Sequence, residues 1–124
     1  MGNVATRVIA AVSDVFFAVK VNDVLKKMGL ELKLANSVED ALMKVRSPTA
    51  LVIVDLNDRA MAALELVRGL KADTALANIP VLGFCSHVQA ELMAEAKAAG
   101  VEAVVPRSVF AERLPELVAA LARP

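Results

Sequence analysis

The stretch LVIVDLNDRA, residues 51–60, sets four apolar residues, three of them β-branched, directly before an aspartate. It then turns polar through Asn57, Asp58 and Arg59. Such an apolar run reads as a strand buried on both faces, the kind found in parallel sheets. A buried strand that ends on a carboxylate leaves two readings of Asp55. Either it caps the helix that follows, or it is a reactive group delivered to the sheet edge.

Outward from this strand, short β-branched runs alternate with longer segments of helical period. Arg7–Val12, Leu32–Ala35, Ala50–Asp55, Val81–Cys85 and Ala103–Val105 read as five strands. The intervening helices read as Val15–Met28, Val38–Arg46, Ala60–Lys71, Gln89–Ala99 and Leu114–Arg123. In the first, Phe17, Val21, Val24, Leu25 and Met28 share an apolar face. Gly29 and Gly100 stand where helix-ending glycines belong, and Ser37-Val38-Glu39-Asp40 resembles a capping box with Asp in place of Glu. Pro80 opens a strand, and Pro115 fits a first helical turn. Five βα units imply an α/β fold, a single domain over residues 1–124. Its parallel sheet has strand order 2-1-3-4-5, with helices one and five on one face and two, three and four on the other.

Composition narrows the function. With 14 basic and 14 acidic residues the chain carries no net charge, and no basic stripe points to nucleic acid. The 57% of hydrophobic residues fall in short runs, none near the about 20 that a membrane span needs. Cys85 is the single cysteine and cannot form an internal disulfide, which fits a reducing cytoplasm. The chain has four Phe, no Tyr and no Trp, which disfavours stacking on bases or sugars.

In a doubly wound sheet, functional groups gather at the carboxyl ends of the strands. Ser13 and Asp14 follow strand one, Asp55 ends strand three, Cys85 and Ser86 end strand four, and Arg107 follows strand five. Two carboxylates converging on one crevice, Asp14 and Asp55, repel each other and invite a hard cation such as Mg²⁺. A carboxylate so placed can attack phosphorus and form an acyl phosphate, whose oxygens Arg107 and Ser86 would bind. Cys85-Ser86-His87 could offer a thiol nucleophile, but Cys85 reads better as a small buried hydrophobe. The lone His87 belongs near the start of the fourth helix, and Lys26-Lys27 is a solvated helix end.

These residues resemble the receiver domain of two-component response regulators, the chemotaxis-type flavodoxin-like fold. The likeness is carried by LVIVDLN, LELVRGLKADTALANIPVLGF and AKAAGVEAVVPR. The resemblance implies that Asp55 is the phospho-acceptor position and that the Asn57 carbonyl helps hold Mg²⁺. It also sets Cys85 at the family's Thr/Ser position and Arg107 at its lysine. The departures are several. AAVSDVFF holds one acid where receivers have two, and Asp14 reaches the slot through a one-residue slip. Cys85 is a weaker donor than a hydroxyl, and Arg107 lacks the compact charge of lysine. Ser108 replaces a proline, Val104 the aromatic switch residue, and Arg59 and Ala63 the usual Pro and Gly.

The resemblance therefore implies an atypical or pseudo-receiver that is not an enzyme. It would bind Mg²⁺ weakly through Asp14, Asp55 and Asn57, and contact a histidine kinase or output protein through its helix 4, strand 5 and helix 5 face. Two alternatives stand beside it. One is a working Mg²⁺-dependent phospho-accepting receiver. The other is a small ligand-binding or enzymatic domain, against which stands the lack of a glycine-rich phosphate loop, dinucleotide fingerprint or catalytic triad.

Overall fold

The computed structural model describes residues 5–122. Five strands, β1 (Arg7–Ala11), β2 (Glu31–Leu34), β3 (Thr49–Asp55), β4 (Val81–Cys85) and β5 (Ala103–Pro106), form one parallel sheet in the order β2-β1-β3-β4-β5. The helices are α1 (Val15–Lys27), α2 (Val38–Lys44), α3 (Ala63–Ala72), α4 (Ala90–Ala99) and α5 (Arg107–Leu121). The architecture and strand order are those expected. Among the described residues no helix is long and apolar enough to cross a membrane.

The apolar run of β3 explains its central place. Leu51 and Ile53 join Val8, Ala10, Leu82 and Phe84 in a core closed by α1 and α5 through Phe17, Val21, Leu25, Phe110, Leu114 and Val118. Val52 and Val54 face the other way with Ile9, Ala11 and Val81, under Ala41, Leu66, Val67 and Ala96 of α2, α3 and α4. Residues 51–54 are all fully buried. Each Val, Leu or Ile so buried contributes about 1.5–3 kcal/mol, so a polar residue inside the run would be disruptive.

Local signals act much as read. Gly29 (φ +76°) and Gly100 (φ +111°) follow α1 and α4 in left-handed conformations. The Ser37 hydroxyl accepts from Asp40 N at 3.0 Å, but the Asp40 carboxylate accepts from Asn36 N at 2.8 Å, closing the box one residue upstream of the cap. At the amino end of the sheet, Lys71 Nζ donates to the carbonyls of Ala77 (3.0 Å) and Ile79 (3.3 Å) and to Glu102 Oε2 (2.8 Å). Glu102 Oε1 in turn accepts from Val81 N at 2.7 Å.

Several boundaries differ from the reading. The fifth helix starts at Arg107 rather than Leu114, because its apolar stripe begins at Phe110 and continues through Leu114 and Val118. Pro115 lies inside it. The helix breaks at Arg113 (φ −115°, ψ 21°), which places Pro115 in the first turn of a second segment where its missing N–H costs little. The predicted end at Arg123 lies outside the described residues. The edge strand β2 sits one residue earlier than read, and it is mostly exposed, so no core pattern marked its limits. The second helix ends at Lys44 rather than Arg46. The third is preceded by a single 3₁₀ turn, Arg59–Met61, and by Ala62 at φ 40°, ψ 57°.

Ala62 is the one non-glycine residue with positive φ among the described residues. The left-handed region costs an L-residue roughly 1–2 kcal/mol, partly offset for glycine by its larger unfolded-state entropy. Ala62→Gly should therefore stabilise the fold by about 0.5–1 kcal/mol. Gly100→Ala should have the opposite sign, because its Cβ would lie 2.9 Å from Lys71 Cγ at a φ that alanine avoids; a loss of about 1–3 kcal/mol is expected. Denaturant unfolding of the two variants checks both signs.

Candidate functional site

The carboxyl edge of the sheet assembles Asp14, Asp55, Asn57, Asp58, Ser86 and Arg107. Asp55 ends β3, and its Oδ1 accepts from Asn57 N at 3.0 Å, an Asx-type turn. Since α3 begins at Ala63 behind Ala62, Asp55 caps no helix. The strand delivers it to the edge.

Asp14 is the N-cap of α1, with Oδ1 accepting from Phe17 N at 3.0 Å. Its Oδ2 accepts from Arg107 Nη2 at 2.7 Å. The Arg107 guanidinium lies 4.2 Å above the Phe17 ring and 5.9 Å from that of Phe84. Beneath it Phe17, Phe84 and Phe110 pack with centroid separations of 4.6–5.3 Å. The arginine is thus aimed by a carboxylate and an aromatic floor, and its two nearest partners, Asp14 and Phe17, belong to the α1 side of the site.

The strand-four groups point elsewhere. Cys85 is fully buried, and its thiol donates to the His87 carbonyl at 2.9 Å, with the Val105 carbonyl at 3.9 Å. Ser86 turns toward Asn57: its N–H (2.6 Å) and its hydroxyl (3.1 Å) both reach Asn57 Oδ1. His87 precedes α4 in an exposed loop. Phe16 and Phe17 divide as their neighbouring positions on a helix require, Phe16 being 86% exposed and Phe17 8%.

Electrostatics separates the two carboxylates. Burial pushes the Asp55 carboxyl above its ordinary range; the Asn57 N–H opposes this, Asp58 adds to it, and Arg107 and Asp14 make smaller opposed contributions. Asp14 goes the other way, held low first by the Phe17 N–H and then by Arg107. The donor set does not fit a resident divalent cation in this arrangement. Both Asp14 oxygens already accept hydrogen bonds, one from a guanidinium that stands where a second positive charge would be repelled. Among the described residues no group of three or more His, Cys, Asp and Glu is placed to hold a metal ion.

Three participants escaped the sequence reading. Asp58 Oδ2 accepts from Ser13 N at 2.8 Å and so ties the loop after β3 to the loop after β1; the second acid of DLND was the available signal. Phe17 belongs to the apolar face of α1, and nothing in the sequence marks it as the platform for Arg107. A cavity of about 490 Å³ opens between α1 and α5, with Phe16 and Lys20 at one side and Arg107 and Ser108 at the other; no motif marks it.

Comparison with solved structures shows what fold this is. The chain is similar to the chemotaxis response regulator CheY4 of Vibrio cholerae, with 21% identity over 94% of this chain and 98% of that one and a TM-score of 0.81. It is also similar to the receiver domain of a signal transduction histidine kinase from Syntrophus aciditrophicus (18%, 94% and 89%, TM-score 0.81). A CheY-like receiver domain protein from Methanospirillum hungatei aligns comparably (19%, 93% and 91%, TM-score 0.78). No protein-family model matches the sequence, and no curated protein matches it. The fold is that of response-regulator receiver domains.

The Asp55 carboxyl yields a pH-dependent prediction. Its folded-state pKa is raised, so the folded state prefers the neutral acid. The associated stability is present below the unfolded-state pKa and is lost as pH rises through the folded-state value. Asp55→Asn, which keeps an acceptor for Asn57 N, should raise Tm by a few degrees at pH 7 and leave it unchanged near pH 3. Thermal melts of the two proteins across that range test the sign.

Proposed function

We propose that this chain is a receiver-like signalling domain with Asp55 at the phospho-acceptor position and a degenerate site, acting largely through constitutive protein contacts in the cytoplasm. The observation that carries this is the engagement of Arg107. The Arg107 guanidinium bonds Asp14 at 2.7 Å and stacks on Phe17, so it is turned toward α1. Two further features support the reading. The residue at the hydroxyl position, Cys85, is fully buried with its thiol on backbone carbonyls, and the strand-five residue at the ring position, Val104, is buried in the core. A ligand shifts a conformational equilibrium only through differential contacts with its two states, and these two positions offer few.

Its partners are proteins, a histidine kinase or an output protein, docked on the face made by α4, β5 and α5. That face carries charged and small side chains, with Leu92 and Met93 half-buried. Mg²⁺ binds weakly in this reading, and calorimetric titration should give no saturation at physiological concentration.

The working-receiver alternative makes a different prediction. There an Asp55 oxygen attacks phosphorus of acetyl phosphate, the bond from phosphorus to the acetate oxygen breaks, and acetate leaves with the electron pair. Intact mass after incubation with Mg²⁺ and acetyl phosphate decides between them. A degenerate site gives little or no phosphoryl adduct, and Asp14→Asn, which releases Arg107, leaves it equal or higher. Stoichiometric adduct that Asp14→Asn abolishes would establish the metal-dependent receiver instead. Beryllofluoride should likewise leave the amide shifts of α4 and β5 nearly unchanged in the wild-type protein.

A further inference from the structure

The backbone N–H and the hydroxyl of Ser86 converge on a single oxygen, Asn57 Oδ1, at 2.6 and 3.1 Å. Two donors from one residue aimed at one point form a small oxygen-binding site of the kind that holds oxyanions. This site stands beside the acceptor carboxylate, because Asn57 lies two residues beyond Asp55 and its own N–H is bonded to Asp55 Oδ1 at 3.0 Å. The β3–β4 pairing fixes the two segments next to each other, with Asp55 opposite Phe84 and Leu56 N bonded to the Phe84 carbonyl at 2.8 Å. An anionic group attached to Asp55 would stand beside the Asn57 N–H and these two Ser86 donors. They are already taken.

We infer that the side-chain amide of Asn57 is a resident stand-in for an anion oxygen, holding Ser86 and the loop that leads into α4 in the arrangement an anion on Asp55 would otherwise create. The inference rests on the receiver-like reading above and supplies its missing cause: the loop is constitutively set because its ligand is built in. Asn57 acts here as a positioning residue. Asn57 and Ser86 are both exposed, so the clamp is local and its removal leaves the core untouched.

The test is amide NMR and hydrogen exchange at Ser86 in wild type, Asn57→Ala and Asn57→Asp, each with and without beryllofluoride. Loss of the amide acceptor should speed Ser86 exchange about tenfold, the equivalent of one net hydrogen bond. Asn57→Asp keeps an acceptor oxygen and should retain slow exchange. In Asn57→Ala, beryllofluoride should restore the slow exchange and give a bound ¹⁹F signal, while wild-type Ser86 hardly responds. Unchanged Ser86 exchange in Asn57→Ala would overturn the inference. So would the absence of any bound ¹⁹F signal in that variant, which leaves the constitutive-contact reading standing. A wild-type Ser86 that shifts as strongly as the variant would also overturn it. Failure of the receiver-like reading itself is seen separately, in the mass of the wild-type protein with acetyl phosphate.

Discussion

A central strand buried on both faces can carry a charge only where it leaves the core, and this constraint organises the molecule. Residues 51–54 are closed in by helices above and below, so the first place β3 tolerates a carboxylate is Asp55 at its end. The same holds for β1, which turns polar at Ser13 and Asp14, and for β4, which does so at Ser86. Parallel strands all reach that limit on the same side of the sheet. The polar groups are thus collected at one edge by the burial requirement alone, before any chemistry is asked of them.

What those groups then do is decided by competition for few donors. Arg107 has two carboxylates within electrostatic reach, and Asp14 holds it. The magnitudes are modest. Both side chains are more than a third exposed, so solvent screens most of the attraction between them. Stacking on Phe17 adds roughly 0.5–1 kcal/mol. Arg107 is therefore aimed rather than locked. Asp55, half buried and facing Asp58 and Asp14, lacks a strong counter-charge and keeps the raised pKa that burial imposes. The Ser86 donors meet the same kind of competition from Asn57.

The sheet was legible because its signals are local. Alternating apolar runs placed β1, β3 and β4 to within a residue, and the glycines at 29 and 100 placed two helix ends. Asp55, Ser86 and Arg107 were legible as strand-end residues. Their pairings were not, since the Asp14–Arg107 bond joins positions 93 apart in sequence and depends on where α5 starts. That start was misread for a physical reason. Pro115 signals a first turn correctly, but of a second helical segment, and the buried Phe110 one turn before Leu114 extends the stripe across the break. β2 escaped sharp definition because an exposed edge strand has no core face to advertise.

The break at Arg113 has a mechanical meaning. An unbroken helix transmits a tilt at one end to the other as a rigid rod, whereas a helix interrupted by non-helical backbone is two short levers sharing a joint. The first lever, residues 107–112, carries the guanidinium and Phe110; the second, from Leu114 onward, is anchored by Leu114 and Val118 in the core. Each lever has its own hold on the core, the first through the fully buried Phe110 and the second through Leu114 and Val118, so a change at Arg107 need not be passed to the far end of α5. Any partner that grips the last turns of the helix would then be deaf to events at the sheet edge, while one that grips the first segment would feel them directly.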